Sequence, residues 1–140
     1  MQDQKSQLAL DLWSKLTKAH DTVRKSHVKQ MSQHKLTAPQ FHVLEVLKAA
    51  GPMPLKRISE ELMVTGANIT CVVDNLEKED LVKRVPSKED RRIINAELTD
   101  KGREKMTVIF PQYVTNMMET ASTLSEDEQR ELSRLLTKLH

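Results

Sequence analysis

The chain has 140 residues, a formal net charge of +2, 30% charged residues and only 3% aromatics. That length fits one domain with a modest core, and a composition rich in Leu, Met and charge suits helices that pair with other helices rather than a sheet protein. So small a net charge neither proves nor excludes a nucleic-acid partner; the distribution decides, with seven Lys or Arg against three Asp in 1–35, three against six acids in 54–80, and five against two in 81–92.

From Leu8 the apolar residues Leu8, Leu12, Leu16, Ala19, Val23 and Met31 recur near a 3.6-residue period, with Trp13 and His20 beside them. One long helix is expected, apolar on a narrow stripe that another helix must cover. "LTAPQF" restarts the pattern. Thr37 and Gln40 have capping-box spacing, and Leu36 and Phe41 stand at hydrophobic-staple positions. The second helix runs through Val43, Leu44, Val46 and Leu47 and stops at Gly51, Pro52 and Pro54. A short third helix places Leu55, Ile58 and Leu62 on one face, and Thr65 is available as the next N-cap. The fourth, about Gly66 to Glu79, buries Ile69, Val72, Val73 and Leu76. Two short helices joined by a tight turn read as helix-turn-helix.

"LVKRV" and "IINAEL" carry enough β-branched residues to pair, and "PSKEDR" is short enough to join them as a hairpin. A hairpin directly after a helix-turn-helix is a wing. "LTDKG" then opens a fifth helix with Thr99 as N-cap, carrying Met106, Ile109, Phe110, Val114, Met117 and Ala121, with a kink expected at Pro111. "LSEDEQ" supplies a second capping box, Ser125 with Glu128, before a last helix edged by Leu132, Leu135, Leu136 and Leu139. Leucine-rich helices at both ends of so small a chain read as a dimer interface; the alternative is that they cover each other within one chain.

On the fourth helix, 100° per residue sets Ala67, Thr70, Cys71, Asp74 and Lys78 opposite the apolar face, with Asn68 and Asn75 at its edge. A small, polar surface of this kind can approach base edges in a major groove, where Asn and Thr donate and accept and Ala meets a thymine methyl. Asp74, Glu77 and Glu79 argue the other way, since phosphates repel them. At the wing tip, five consecutive charges run from Lys88 to Arg92. Arg91 and Arg92 have the length and permanent charge to enter a narrow minor groove, and a neighbouring carboxylate can orient an arginine by a fixed ion pair.

Other chemistries find little footing. The chain has no Gly-rich phosphate loop, no nucleophile elbow and no HExxH, and its one cysteine lacks a placed histidine partner, so an enzyme is not expected. Cys71 alone excludes an internal disulfide and a Cys-rich zinc site; on the outward side of the fourth helix it is either a tolerated small residue or an oxidant switch. No run of 18 apolar residues and no signal-peptide profile in "MQDQKSQLALDLW" lead to the expectation of a soluble, cytoplasmic protein without a membrane partner. His20, His27 and His34 repeat every seven residues. Neighbours at that spacing are about 10 Å apart along a helix, too far to share one metal ion, so no metal or other cofactor is expected. A middle reading has one of these histidines titrate in a dimer seam and tune it with pH.

The order of a long helix, "LTAPQFHVLEVL", "LKRISEELMVTGANITCVVDNLEKEDLVKR", "SKEDRR" and "LTDKG" resembles the MarR family of winged-helix repressors over nearly the whole chain. Its most specific part is Asp90-x-Arg92 followed by Leu98-Thr99-x-x-Gly102. The resemblance implies a mainly α fold with a small β-hairpin wing, in which 1–35 and 100–140 form dimerisation helices around a winged helix-turn-helix at 36–99. It implies a homodimer of triangular outline on double-stranded DNA, each half reading half of a pseudo-palindromic operator. Arg92 would be the minor-groove arginine and Asp90 its buttress, with Arg84, Lys88 and Arg91 as further wing contacts. Thr65, Gly66, Ala67, Asn68, Thr70 and Cys71 would read the major groove. Members often release DNA when an aromatic anion or drug-like molecule binds between the dimer helices and the winged domain, for which Arg24, His27 and His42 are the nearest cationic or titratable groups. Asn75 stands where a basic residue is common and Glu79-Asp80 replaces a frequent basic-glycine pair, so modest or strongly salt-sensitive DNA affinity is expected. The alternatives are a dimeric winged-helix module that binds proteins, suggested by the acidic 54–80 segment, and a redox- or metal-responsive regulator.

Overall fold

The computed structural model describes residues 3–140; Met1 and Gln2, which open the 1–35 segment and the stretch read for a signal profile, lie outside the described residues. The elements are α1 (Gln4–Gln33), α2 (Ala38–Ala50), β1 (Met53–Pro54), α3 (Leu55–Leu62), α4 (Gly66–Lys78), β2 (Val82–Pro86), β3 (Ile94–Leu98), α5 (Asp100–Ala121) and α6 (Glu126–Thr137). They fall into two compact units, one reaching Met106 and the other Thr107–His140.

Local chemistry sets the helix starts. Thr37 Oγ1 accepts the Gln40 N–H at 3.2 Å while Gln40 Oε1 accepts the Thr37 N–H at 2.8 Å, closing the capping box on α2. Ser125 and Glu128 repeat the arrangement on α6 at 3.1 and 2.9 Å. Thr65 caps α4 through the Asn68 N–H at 3.2 Å. Each such cap contributes on the order of 1 kcal/mol. Helix α2 ends at Gly51, whose φ of 80° suits a residue without Cβ.

In the first unit, Phe41 and Leu44 of α2, Ile58 of α3, Ile69, Val73 and Leu76 of α4, Val82 of β2 and Ala96 of β3 are all buried. Each large apolar side chain among them contributes roughly 1.5–3 kcal/mol by leaving water. This core fixes α4 and the β2–β3 hairpin to one body. The sheet has three strands in the order β1-β3-β2, all antiparallel, rather than the isolated hairpin expected from the sequence. Met53 pairs with Ala96 and Pro54 with Asn95. Only two residues long and ending in proline, β1 lacks the alternation that marks a strand, and its edge position tolerates the missing N–H.

Thr99 closes the wing onto α5. Its Oγ1 donates to the Asp80 carbonyl at 2.6 Å and accepts the Gly102 N–H at 3.0 Å. A Cβ on Gly102 would collide with the Leu81 carbonyl oxygen, which accounts for the glycine of "LTDKG". Helix α5 is continuous from Asp100 to Ala121 with Pro111 inside it. The apolar stripe of α1 is mostly uncovered: Met31 is buried, but Leu8, Leu12, Trp13 and Val23 are exposed. In the second unit, α6 likewise exposes Leu132 and Leu135, and Leu139 just past its end is exposed as well. No helix among the described residues is long and apolar enough to cross a membrane.

Candidate nucleic-acid interface

Helix α4 presents Thr65 at its cap and Gly66, Ala67, Asn68, Thr70, Cys71, Asn75 and Lys78 along an exposed face, because Ile69, Val73 and Leu76 anchor the opposite side. Thr70 Oγ1 donates to the Gly66 carbonyl at 3.0 Å, which keeps its hydroxyl lone pairs outward. Asn75 Nδ2 lies 3.9 Å from Cys71 Sγ as a weak donor. Every residue expected to read the major groove thus lies on an exposed stretch of one element.

The wing tip is closed by the Ser87 N–H to the Ile93 carbonyl at 2.7 Å and the Ile93 N–H to the Asp90 carbonyl at 3.0 Å. Asp90 Oδ1 accepts the Arg92 backbone N–H and Nε–H, both at 3.1 Å, and its Oδ2 accepts from Nη2 at 3.0 Å. The Arg92 guanidinium and then its backbone N–H hold the Asp90 carboxyl below its ordinary 3.8. The Arg92 side chain remains 90% exposed. A carboxylate therefore aims a guanidinium that nothing covers, a geometry suited to reaching into a groove. Lys88 and Arg91 are exposed beside it.

Arg84, expected among the wing cations, points elsewhere. Its Nη2 donates to Asp74 Oδ1 at 2.6 Å and its Nη1 to Glu77 Oε1 at 2.9 Å. Its backbone N–H donates to Glu77 Oε2 at 3.2 Å. Reasoning from sequence missed this group, since seven and ten residues separate the partners and no local spacing signals their meeting.

The three effector candidates have different surroundings. Arg24 is paired with Asp21 at 2.9 Å on the surface of α1. His27 is buried, its ring centroid 4.9 Å from that of His42 and 5.4 Å from that of Phe41. His42 Nδ1 lies 3.5 Å from Glu45 Oε1. A cavity of about 580 Å³ between α2, α3 and α4 is lined by Pro39, His42, Leu62, Val64, Asn68 and Cys71 among others, so of the three candidates His42 reaches it. Among the described residues, no three His, Cys, Asp or Glu side chains converge as a metal site.

Burial, followed by the neighbouring His42, lowers the His27 pKa from its ordinary 6.5, and Glu45 opposes the shift. Unfolded chain then binds more protons than folded chain below about pH 6.5, so stability should be full above that pH and fall as pH drops through the depressed folded value. Urea midpoints measured from pH 8 to 5 should decline in the acid limb, and His27→Phe should flatten part of that decline. An unchanged limb in the variant would remove His27 from the account.

The MarR family profile matches residues 36–94, the span of the helix-turn-helix and most of the wing. The transcriptional regulator MhqR of Bacillus subtilis is 33% identical over 131 residues, covering 94% of this chain and 90% of that protein. Among solved structures, the transcriptional regulator BldR from Sulfolobus solfataricus superposes with a TM-score of 0.81 at 25% identity, over 97% of this chain and 99% of that one. Bordetella bronchiseptica BpsR, whose DNA binding is regulated by 6-hydroxynicotinic acid, superposes with a TM-score of 0.80 at 25% identity over 89% of each chain. With a winged helix-turn-helix in place and a relative matched over nearly its full length, this chain belongs to the MarR family of DNA-binding transcriptional regulators.

Proposed function

We propose that the protein is a homodimeric, cytoplasmic repressor that binds a pseudo-palindromic operator and is released by a small phenolic or anionic effector. The observation that carries this reading is the Asp90–Arg92 pair, an oriented and uncovered arginine at the tip of a wing. Arg92 enters the minor groove, Lys88 and Arg91 meet flanking phosphates, and Thr65 to Cys71 face the major groove. A second copy covers the exposed leucines of α1 and of α6 and sets the half-site spacing. For the effector, the cavity beside α4 offers an apolar wall with His42, Asn68 and the carboxylate of Glu61 as polar groups, and Asn68 and Cys71 belong at once to the cavity and to the exposed face of α4. A ligand there would bear directly on the DNA-reading helix, in keeping with the regulation of BpsR by an aromatic acid.

Selection of bound duplexes from a randomised pool, followed by titration at several salt concentrations, tests the reading. The expected result is a two-fold palindrome with half-sites about one helical turn apart and log K falling by about 0.9 per phosphate neutralised per log unit of salt. Enrichment of nothing above non-specific binding would overturn it and favour a protein-binding winged helix.

A further inference from the structure

The acidic residues of α4 are the feature least suited to a DNA-binding helix, and the structure gives two of them another partner. Asp74 and Glu77 together receive three hydrogen bonds from a single wing residue, Arg84, two from the guanidinium and one from the backbone N–H. Arg84 sits in the middle of β2, opposite Ala96 of β3, and β2 is an edge strand of the sheet. Its N–H is directed to Glu77 Oε2, so the recognition helix takes the place of a further strand there. The Arg84 side chain is 26% exposed, against 90% for Arg92. One wing arginine is therefore turned inward onto α4 while another is held outward by its own aspartate.

We infer that Arg84 is a positioning residue: with Asp74 and Glu77 it locks the base of the wing to the recognition helix, so that both DNA-reading elements are presented in one fixed relation. This rests on the DNA-binding reading above and assigns Arg84 no phosphate of its own. Guanidinium geometry matters here, because its planar fork holds its donors in fixed directions toward two carboxylates, where the donors of an ammonium rotate on a flexible stem. A rigid relation between helix and wing removes an ordering cost that each protomer would otherwise meet on binding. One of the two negative charges that Asp74 and Glu77 bring to α4 is then offset within the clamp.

Two readings of Arg84 differ in the sign of one substitution. If Arg84 met phosphate independently, Asp74→Asn would remove a repulsive charge and tighten binding. If Arg84 acts through Asp74, Asp74→Asn weakens specific binding by about tenfold, the scale of one charged hydrogen bond. Arg84→Met should do at least as much, with the slope of log K against log salt unchanged rather than about 0.9 shallower for each lost phosphate contact. The double variant should be no worse than Arg84→Met alone. The clamp is also read without DNA. Nitroxides on Cys71 and on Lys88→Cys, in full-length chain diluted with unlabelled chain, report the distance from helix to wing tip by double electron–electron resonance. The distribution should be narrow with the clamp intact and broaden in Asp74→Asn and Arg84→Met at unchanged helical circular dichroism. An unchanged distribution in both variants overturns the clamp whatever the DNA result. A broadened distribution together with no operator for the unsubstituted chain would leave the clamp standing and remove the proposed function.

Discussion

Replacing Arg92 by alanine should lower operator affinity by about thirtyfold, ~2 kcal/mol, while leaving the fold unchanged. The side chain is 90% exposed and pairs with Asp90 two residues away, so no core contact is lost with it. The salt dependence should also become shallower by about 0.9 for each wing that loses its cation. Asp90→Ala gives the sharper test. On charge alone, removing a carboxylate beside DNA should strengthen binding; as the group that fixes Nε and Nη2 of Arg92, its loss should weaken binding by nearly as much as the loss of Arg92 itself. The double variant should then be no weaker than Arg92→Ala, because residues that act as a unit are not additive. Fluorescence anisotropy on the selected duplex measures all three. Equal binding by unsubstituted chain and Arg92→Ala would exclude the wing from recognition.

What could be read from sequence follows the range of the interactions involved. The capping boxes at Thr37–Gln40 and Ser125–Glu128 and the cap at Thr65 are set by groups within three residues, and each is found in place. The Asp90–Arg92 pair is local too: the charge run offers a carboxylate beside an arginine, and the family resemblance says which two. The Arg84 clamp was not legible, since its partners meet only after the turn from α4 into β2 has been made. That turn is instructive. Asp80 adopts φ 60°, the left-handed conformation that explains why glycine is frequent there, and aspartate is among the few other residues that tolerate it. The departure from the family pattern therefore keeps the backbone geometry while changing the charge. The short strand β1 escaped because two residues carry no periodicity. On α1 the period identified a helix and a stripe correctly, but periodicity cannot say whether a stripe meets the same chain or another one.

The exposed stripe leads to the second large effect. Leu12→Glu should convert a dimer into a monomer and abolish high-affinity operator binding without unfolding the protomer. Leu12 is 56% exposed and Trp13 beside it 70% exposed, so a charge at position 12 costs the isolated chain little. In a dimer seam the same carboxylate would be buried opposite apolar side chains, and an unpaired buried charge is far more expensive than the leucine contact it replaces. Loss of the second copy also removes bivalency. Two half-sites held by one dimer gain on the order of 10²–10⁴ in avidity over separate domains, so the monomer should retain only weak, strongly salt-sensitive binding. Sedimentation equilibrium reads the assembly and anisotropy reads the binding, while circular dichroism should show unchanged helix content. A variant that stayed dimeric and bound normally would take Leu12 out of the interface and place the apolar stripe of α1 in some other contact. Helix α6 supplies an independent check, since Leu135→Glu, also at an exposed position, should act in the same direction if a second copy covers that edge as well.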